Sequence, residues 1–349
     1  MIKLLHAADF HLDAAFASLP PELARQRREE QRRALSLLAK EAEGCELVLL
    51  SGDLFDGKRV YRDTLDALKA CFAAIHAKIF IAPGNHDPIH ARSPYLTEDW
   101  GENVHIFKSE AIECVHLPSC DIYGAAYVRE DVEPLRGFHV EDESRLNLML
   151  LHSGGSYNPI SPEQIAATGL DYLALGHVHA RQEQLCGKTL AAYPGCLMGR
   201  GFDECGQKGV LRVRAGKQAC QTEFVPIPTR KYEILQVEAG ESPLASVLNA
   251  LPQGCETDCL RILLQGESNG VDVKALEAAL QDRCFCVSVR DHTVPKRELW
   301  QGSEEDTLRG EVLRELKSRY ETADEADARR IVRAARLLSD LMDGREADL

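Results

Sequence analysis

The stretch Ile2-Lys3-Leu4-Leu5-His6-Ala7-Ala8-Asp9-Phe10-His11 decides the fold of this chain, because an apolar run in it ends at an Asp-x-His pair. A short, nearly continuous apolar run is typical of a strand buried on both faces of a parallel sheet. In α/β folds the loops that follow such strands carry the functional groups. The opening therefore predicts an α/β fold with a site near Asp9 and His11.

The same pattern, an apolar run followed at once by polar residues, recurs four more times. The runs are residues 47–51, 78–82, 146–151 and 172–175, and the motifs after them are Gly52-Asp53-x-x-Asp56, Gly84-Asn85-His86-Asp87, His152 in Leu-His-Ser-Gly, and Gly176-His177-x-His179. We expect Gly52, Gly84 and Gly176 to permit the tight exits and positive φ angles that such loops need. A lone Asp-x-His carries little information, but five motifs placed at strand ends predict one shared site.

These motifs offer carboxylate, amide and imidazole donors without a thiolate, a set that suits Mn²⁺, Fe²⁺ or Zn²⁺. Two divalent ions close together can clamp the attacking and leaving oxygens of a phosphoryl centre. Taken singly, Asp53 could equally be a helix cap, and His177 and His179 could be buried structural histidines. We expect Asp87 to orient a neighbour rather than bind metal. The histidines outside the motifs are expected to be structural, and His6 is of most interest because it lies on the strand before Asp9.

The order of the motifs resembles that of the calcineurin-like metallophosphoesterase superfamily. Within that superfamily, the chain is similar to the DNA-repair nuclease branch, which contains the SbcD-type subunits and their YhaO-like bacterial relatives. The resemblance to this branch rests on residues 5–13, 51–56, and the stretch Tyr193-Pro194-Gly195-Cys196-Leu197-Met198-Gly199-Arg200-Gly201-Phe202-Asp203-Glu204 with its continuation through residues 206–210. It covers residues 1–228 well and the rest loosely. It implies a four-layer α/β/β/α sandwich with a small α/β cap and a C-terminal helical tail.

The resemblance also implies roles for the motif residues. Two divalent ions would bind per chain, with Mn²⁺ the expected metal and Fe²⁺, Zn²⁺ and Mg²⁺ the alternatives. One ion would be held by Asp9, His11, Asp53 and His179, and Asp53 would bridge to a second ion held by Asn85, His152 and His177. A metal-bridging hydroxide would attack phosphorus, and His86, oriented by Asp56, would be the general acid for the leaving group.

Composition is typical of an intracellular enzyme. The chain has 349 residues, enough for two domains or for one with an appendage. Its first residues lead directly into a proposed ligand, so we expect no cleaved signal, and no apolar stretch approaches membrane-spanning length. The 12 cysteines show no zinc-ribbon spacing and are expected to be reduced thiols. We expect a cytoplasmic protein.

The formal net charge of −14 argues against strong binding to a polyanion. Positive charge is concentrated in the helix expected after the first motif, at Arg25, Arg27, Arg28, Arg32 and Arg33. This cluster is either a DNA-contacting patch or a solvated helix face partly paired with Glu29 and Glu30. Arg25, Arg28 and Arg200 are the expected substrate contacts, and we expect the chain alone to bind DNA weakly.

Alternation of strands and helices continues to about residue 176, with helices expected at residues 21–43 and 62–76. Strands at 189–193, 209–215 and 221–226 are expected to form the second sheet of the sandwich. Pro226-Ile227-Pro228 marks a boundary. The expected domains are a metallophosphoesterase domain at 1–228, a cap at 229–295 and a helical tail at 296–349. Capping-box patterns place the two tail helices near Ser303 and Thr322.

The tail carries two apolar stripes at helical spacing. They consist of Leu308, Val312, Leu316 and Tyr320, and of Ile331, Ala335, Leu338 and Met342. Either the stripes pack on each other or on the cap, or the tail binds a partner. In the SbcD-type family the segment beyond the cap docks on a coiled-coil ATPase, so the resemblance implies an SbcC-like or YhaN-like ATPase partner. A homodimer is a further option.

Three functions from different classes remain open at this stage. The leading hypothesis is a metal-dependent DNA exonuclease or endonuclease subunit that acts in DNA repair or end processing. The second is a metallophosphoesterase that acts on cyclic nucleotides, nucleotides or phosphoproteins. The third is a non-catalytic scaffold, against which the complete set of ligand types and the presence of His86 and Asp56 argue.

Overall fold

The computed structural model describes residues 1–342 apart from 58, 131, 156, 269 and 296–298. The strands are β1 (Ile2–Ala7), β2 (Leu47–Leu50), β3 (Lys78–Ile81), β4 (Val104–Ile106), β5 (Glu113–His116), β6 (Asp121–Gly124), β7 (Asn147–His152), β8 (Tyr172–Gly176), β9 (Gln182–Cys186), β10 (Thr189–Tyr193), β11 (Gly209–Ala215), β12 (Gln221–Pro226), β13 (Tyr232–Glu238), β14 (Cys259–Gln265), β15 (Glu267–Ser268), β16 (Cys286–Asp291) and β17 (Val294–Pro295). The helices are α1 (Pro21–Glu41), α2 (Arg62–Ala74), α3 (Pro94–Thr97), α4 (Pro162–Ala167), α5 (Pro243–Ala250), α6 (Val273–Leu280), α7 (Leu308–Thr322) and α8 (Glu325–Met342), with a 3₁₀ turn at Cys255–Thr257.

Two six-stranded sheets carry the first part of the chain. One has the order β12-β11-β1-β2-β3-β4, and the other has the order β5-β6-β7-β8-β10-β9. Strands β1 to β4 are parallel, as are β6, β7, β8 and β10. The outer strands β11, β12, β5 and β9 are antiparallel to their neighbours.

The expected composition of the second sheet is partly wrong. Strand β10 does belong to the second sheet, but β11 and β12 join the first, where Ile2 pairs with Ala215 and His6 with Leu211. The second sheet is built largely from strands that precede β10 in the chain. Strand β1 pairs with β2 along one edge only, and pairing with β11 satisfies the backbone groups along its other edge.

The apolar side chains of the central strands alternate between two cores. In β2, Leu47 and Leu49 belong to the core that also contains Leu148 and Leu150 of β7, so this core lies between the sheets. Residues 48 and 50 of β2 pack instead with α1 and α2, and residues 149 and 151 of β7 pack with Ile165 of α4. The layers are therefore helix, sheet, sheet and helix, as the resemblance implied.

The chain divides into two compact units. The first comprises Met1–Ile234, Gly254–Arg261 and Arg283–Cys286; the second comprises Leu235–Gln253, Ile262–Asp282 and the described residues from Val287 onward. The second unit has its own core, which includes Val237, Val247, Ile262, Leu264 and Leu276. The domain boundaries after residues 228 and 295 stay predictions. Residues 296–298 and 343–349 of the expected tail lie outside the described residues.

The starts of the two tail helices differ from those expected. Thr307 caps α7, because its hydroxyl accepts a hydrogen bond from Gly310 N at 3.1 Å. Ser303 lies in the preceding turn, where its N–H donates to Trp300 O. Thr322 is still part of α7. The residue before α8 that accepts a hydrogen bond from its first turn is Asp324, whose Oδ1 accepts from Asp327 N at 2.9 Å.

The inward face of α7 also differs from the predicted stripe. Leu313 is fully buried, whereas Leu308 and Tyr320 of the stripe are 71% and 41% exposed. Helices α7 and α8 pack on each other, and Ala335 is buried in α8. In the described part of the chain, no helix has the length and apolarity needed to cross a membrane.

Candidate metal centre

The residues of the five motifs meet at one edge of the two sheets. The strands that deliver them run parallel within each sheet, and the motifs follow the carboxyl ends of β1, β2, β3, β7 and β8. Hydrogen bonds tie the two sheets together there. His177 N donates to the Asp9 carboxylate at 3.0 and 3.2 Å, and His152 Nδ1 donates to Ser51 O at 2.8 Å.

The backbone at this edge is strained. Asp9, His11, Asp53 and His177 have φ angles of 55°, 45°, 52° and 101°. Non-glycine residues seldom occupy this left-handed region, and they do so mainly where the surroundings force the conformation at functional sites.

The three motif glycines serve different purposes. Gly52 has a φ of +88°, as expected, but Gly84 and Gly176 do not have a positive φ. Glycine is required at these two positions because another part of the chain lies too close to leave room for a side chain. A Cβ at position 84 would lie 2.2 Å from Asp53 Oδ1, and one at position 176 would lie 1.8 Å from Ser51 O.

Nitrogen and oxygen donors converge into three overlapping groups. They are Asp9, His11 and His179; His11, Asp53 and His86; and Asp9, Asp53 and His152, and the donor atoms of each group lie within 4.8 Å of one another. Asn85 Oδ1 extends the group that contains His152, at 2.9 Å from His152 Nε2 and 3.2 Å from His177 Nδ1.

Three of these imidazoles are held in the same way, with Nδ1 on an acceptor. His11 Nδ1 lies 2.9 Å from Asp56 Oδ1, His152 Nδ1 lies 2.8 Å from Ser51 O, and His179 Nδ1 lies 2.7 Å from Glu204 Oε1. An imidazole that donates through Nδ1 presents a lone pair on Nε2. The Nε2 atoms of His11 and His179 face each other at 3.2 Å, which requires a proton or a cation between them. The donors present therefore fit a pair of divalent ions.

In the metal-free site, two of the proposed ligands are ready to bind metal near neutral pH and two others hold protons. Burial lowers the pKa of His11 and of His177 to about 4, so both are neutral and able to bind metal near neutral pH. Burial raises the pKa of Asp9 to about 7. Burial alone would lower the pKa of His152, but the Asp53 carboxylate raises it to about 9.

Asp56 contacts a different histidine from the one expected. Its Oδ1 lies 2.9 Å from His11 Nδ1 but 3.7 Å from His86 Nδ1, too far for a hydrogen bond. In this structure Asp56 hydrogen-bonds His11 and makes only a longer ion-pair contact with His86, and the orientation of His86 by Asp56 stays a prediction. His86 is anchored through its backbone, since its N–H donates to Asp53 Oδ1 at 2.8 Å.

Glu204 is a site residue that the motif analysis did not single out. This carboxylate is 2% exposed and bonds both His179 Nδ1 and the guanidinium of Arg200. Arg200 also reaches Asp56 Oδ1 at 3.1 Å. The only signal for Glu204 in the sequence is its place at the end of the stretch 193–204.

Two other motif-region residues have structural roles. Asp87 accepts hydrogen bonds from Leu54 N, Gly84 N and the Tyr95 hydroxyl, and so braces the loops after β2 and β3, as expected for a residue that orients its neighbours. His6 is buried and bonds Tyr172 Oη and Ser51 Oγ between the sheets.

The arginines of α1 do not form one surface cluster. Arg27 is buried between the rings of Phe16 and Tyr232, and it donates to Gly199 O at 2.7 Å. Arg28 donates to Ala15 O at 3.3 Å, and Arg32 lies 3.8 Å from Asp13. Arg25 and Arg33 are exposed. Position 27 falls on the inward face of α1 with Ala24, Gln31 and Ala34, a spacing visible in the sequence.

Known proteins share this arrangement in sequence. The chain is 26% identical over 295 residues to the uncharacterized metallophosphoesterase YhaO of Bacillus subtilis, covering 76% of this chain and 72% of that protein. It is 27% identical over 282 residues to the DNA double-strand break repair protein Mre11 of Aeropyrum pernix, covering 73% and 67%. A solved structure of an archaeal phosphodiesterase matches 64% of this chain and 100% of its own length, with 15% identity and a TM-score of 0.36.

A family model also matches the first half of the chain. The model of the calcineurin-like phosphoesterase family matches residues 2–181, which contain all five motifs and the strands that deliver them. The chain therefore belongs to the calcineurin-like phosphoesterase family.

Proposed function

We propose that this phosphoesterase hydrolyses phosphodiester bonds in DNA, as an exonuclease or endonuclease subunit in DNA repair or end processing. The family uses a pair of divalent metal ions, and we propose Mn²⁺ for this chain, with Fe²⁺, Zn²⁺ and Mg²⁺ as alternatives, since its donors are carboxylate, amide and imidazole groups without a thiolate. The observation that carries the proposal is the convergence of imidazole, carboxylate and amide donors at one sheet edge. The likeness to Mre11 supports DNA as the substrate.

Of the residues shared between the donor groups, Asp53 is the proposed bridging ligand, because its Oδ2 lies 3.6 Å from His11 Nε2 and 3.3 Å from His152 Nε2. Asp9, His11, Asp53 and His179 would hold one ion, and Asn85, His152 and His177 would hold a second ion that shares Asp53. When bound, the ion pair would supply a nucleophile at neutral pH and neutralise charge on the phosphate. Asp56, Ser51 and Glu204 hold the imidazoles of His11, His152 and His179 so that Nε2 faces the ions.

We assign His86 the role of proton donor to the leaving oxygen. Its side chain is 44% exposed, whereas that of His11 is fully buried, so the His86 ring is open to a bound substrate. Its ring centre lies 4.7 Å from that of His11, which places it beside the proposed ions. A positioned imidazole can donate a proton near neutral pH.

We propose that Arg200 positions Glu204 and Asp56, and that the exposed part of its guanidinium faces the phosphate of the substrate. Its nitrogens already bond Glu204 and Asp56, and its side chain is 20% exposed. Arg28 is committed in part to Ala15 O, whereas Arg25 is exposed and stays a proposed substrate contact.

Weak DNA binding by the isolated chain follows from its net charge of −14. We propose that an SbcC-like or YhaN-like coiled-coil ATPase binds the tail and supplies the missing affinity. Exposed apolar side chains on α7 and α8, among them Leu308, Leu341 and Met342, support a partner there. A homodimer is a further option, and we propose a cytoplasmic location.

The test compares substrates with purified, Mn²⁺-loaded protein. Single- and double-stranded DNA, a cyclic nucleotide and a small aryl phosphodiester are offered in parallel, with Asp53→Asn as the inactive control. We expect cleavage of DNA and of the aryl diester by the unmodified protein alone. Hydrolysis of the cyclic nucleotide with intact DNA would favour the second hypothesis, and no hydrolysis of any ester would favour a scaffold.

A further inference from the structure

A pair of thiols lies where two neighbouring strands of the three-stranded sheet begin. The strand order of this sheet is β13-β14-β16, and Cys259 and Cys286 are the first residues of β14 and β16. Phe285 N, one residue before Cys286, donates to Asp258 O at 2.9 Å, so the two strand starts lie side by side. A side-chain hydrogen bond joins the two thiols.

The geometry of the pair suits a reversible covalent bond between the two sulfurs. Both cysteines are free in this structure, and Cys259 is fully buried, whereas Cys286 is half-buried and within reach of a small solute. Neighbouring strands lie about 4.8 Å apart, and disulfide-bonded cysteines have Cα atoms about 4.4–6.8 Å apart. A disulfide between Cys259 and Cys286 can therefore form without separating the strands.

Two arginine side chains place positive charge beside the pair. The guanidinium of Arg230 lies 3.5 Å from the ring centre of Phe285, the residue before Cys286. Arg27 of α1 is fully buried, and Glu30 accepts hydrogen bonds from both guanidinium groups and so holds them in place. All of these residues belong to the first compact unit.

The surroundings make one sulfur of the pair the nucleophile. The hydrogen bond with Cys259 lowers the pKa of Cys286 against the effect of burial, and the charges of Arg27 and Arg230 lower it further. The same hydrogen bond, together with burial, raises the pKa of Cys259. Cys286 is the only one of the 12 cysteines, all of which lie in the described part of the chain, whose pKa is lowered. A thiolate, not a thiol, attacks peroxides and disulfides.

We propose that Cys259 and Cys286 are a redox-active pair that hydrogen peroxide converts to a disulfide and that a dithiol reductant restores by exchange. The Cys286 thiolate attacks one peroxide oxygen, so that an S–O bond forms, the O–O bond breaks and hydroxide leaves. The Cys259 sulfur then attacks the sulfur of the Cys286 sulfenic acid. An S–S bond forms, the S–O bond breaks, and the oxygen leaves as water with the proton of the Cys259 thiol. Two electrons pass from the thiols to the peroxide.

Cys205 provides the contrast that tests this proposal. It is the exposed cysteine among the 12, its thiol donates to Phe202 O at 3.1 Å, and burial of part of the group raises its pKa. Cys205 is therefore easier to reach than Cys286 but less ionised. If exposure alone governed the reaction, Cys205 would be modified first, whereas thiolate character selects Cys286.

The test follows each thiol in the full chain at pH 7. The reduced protein is treated with hydrogen peroxide, analysed by intact mass and peptide mapping, and then treated with dithiothreitol. Cys259→Ser and Cys286→Ser remove one sulfur of the pair each, and Cys205→Ser is the matched control. Alkylation of the untreated protein by iodoacetamide, read out peptide by peptide, compares the thiols without any substitution.

We expect the unmodified protein and Cys205→Ser to lose two hydrogen atoms and to yield one peptide pair linked through Cys259 and Cys286, which dithiothreitol separates. Cys259→Ser should stop at a Cys286 sulfenic acid that dimedone traps, and Cys286→Ser should leave Cys259 unmodified. Iodoacetamide should alkylate Cys286 about 10-fold faster than Cys205 or more, the factor by which one pKa unit changes the thiolate fraction. Oxidation of Cys205 before the pair, absence of the linked peptides, or faster alkylation of Cys205 would overturn the proposal.

Discussion

Glu204 Oε1 accepts a hydrogen bond from His179 Nδ1 at 2.7 Å, although 24 residues and two strands separate them along the chain. Burial would raise the pKa of Glu204, but the hydrogen bonds from His179 and Arg200 hold it below its usual range. For His179, burial would lower the pKa, but the bond to Glu204 raises it. The carboxylate thus stays ionised and fixes the ring of a proposed metal ligand.

Replacing Glu204 with Gln should weaken the binding of one of the two metal ions selectively. The ring of His179 would lose its charged acceptor, and loss of such a partner usually costs about 10–100-fold in metal affinity or activity. Titration calorimetry with Mn²⁺ should show that the affinity for one ion falls and that the affinity for the other is unchanged. Asp203→Asn, an exposed neighbouring carboxylate, is the control and should match the unmodified protein. Equal weakening of both ions in Glu204→Gln would contradict this role.

His86→Gln should separate chemistry from metal binding. We expect both ions to remain and turnover to fall by about 10²–10⁴-fold, the usual contribution of a positioned acid or base. Esters with very good leaving groups should lose less, because their departure needs no proton. His76→Ala, on an exposed residue outside the site, is the control. A lost ion, or an equal fall for good and poor leaving groups, would refute the assignment.

The placement of the ligands at strand ends could be predicted from the sequence because a buried parallel strand has a distinctive apolar run. The contact of Glu204 with His179 could not be predicted, since it depends on how the loop after β10 folds back on the sheet edge. Asp56 lies near both His11 and His86, and only the three-dimensional distances show which imidazole it bonds. The pairing of β11 with β1 likewise depends on which sheet has an unpaired edge strand. The local sequence pattern of β11 does not contain that information.

Gly176→Ala should destabilise the protein, although Ala has the better strand propensity. The added Cβ would lie 1.8 Å from Ser51 O and 2.9 Å from His152 Nδ1, so the two sheets must move apart at this edge. Overpacking of this kind costs about 1–3 kcal/mol in the free energy of unfolding, or more. Gly57→Ala, where a Cβ meets no atom within 4 Å, should change it by less than about 0.5 kcal/mol. Denaturant unfolding of the metal-free proteins measures both, and equal stabilities would contradict the close approach.

Metal affinity should rise with pH. Burial raises the pKa of Asp9 to about 7, and the Asp53 carboxylate, against the effect of burial, raises that of His152 to about 9. Below these values the metal-free site holds protons that an entering ion must displace, so binding releases protons and weakens as the pH falls. Calorimetry from pH 6 to 9 in buffers of different ionisation enthalpy should show that release. A constant affinity across this range would contradict the proposed ligands.

The most direct test of the binuclear site is the metal content of Mn²⁺-reconstituted protein. We expect two Mn²⁺ per chain, at most one after His11→Asn, and none after Asp53→Asn, which removes the shared ligand. Phosphodiester hydrolysis should disappear with the ions and in chelator. One Mn²⁺ or fewer in the unmodified protein, or full activity in chelator, would contradict the two-metal account.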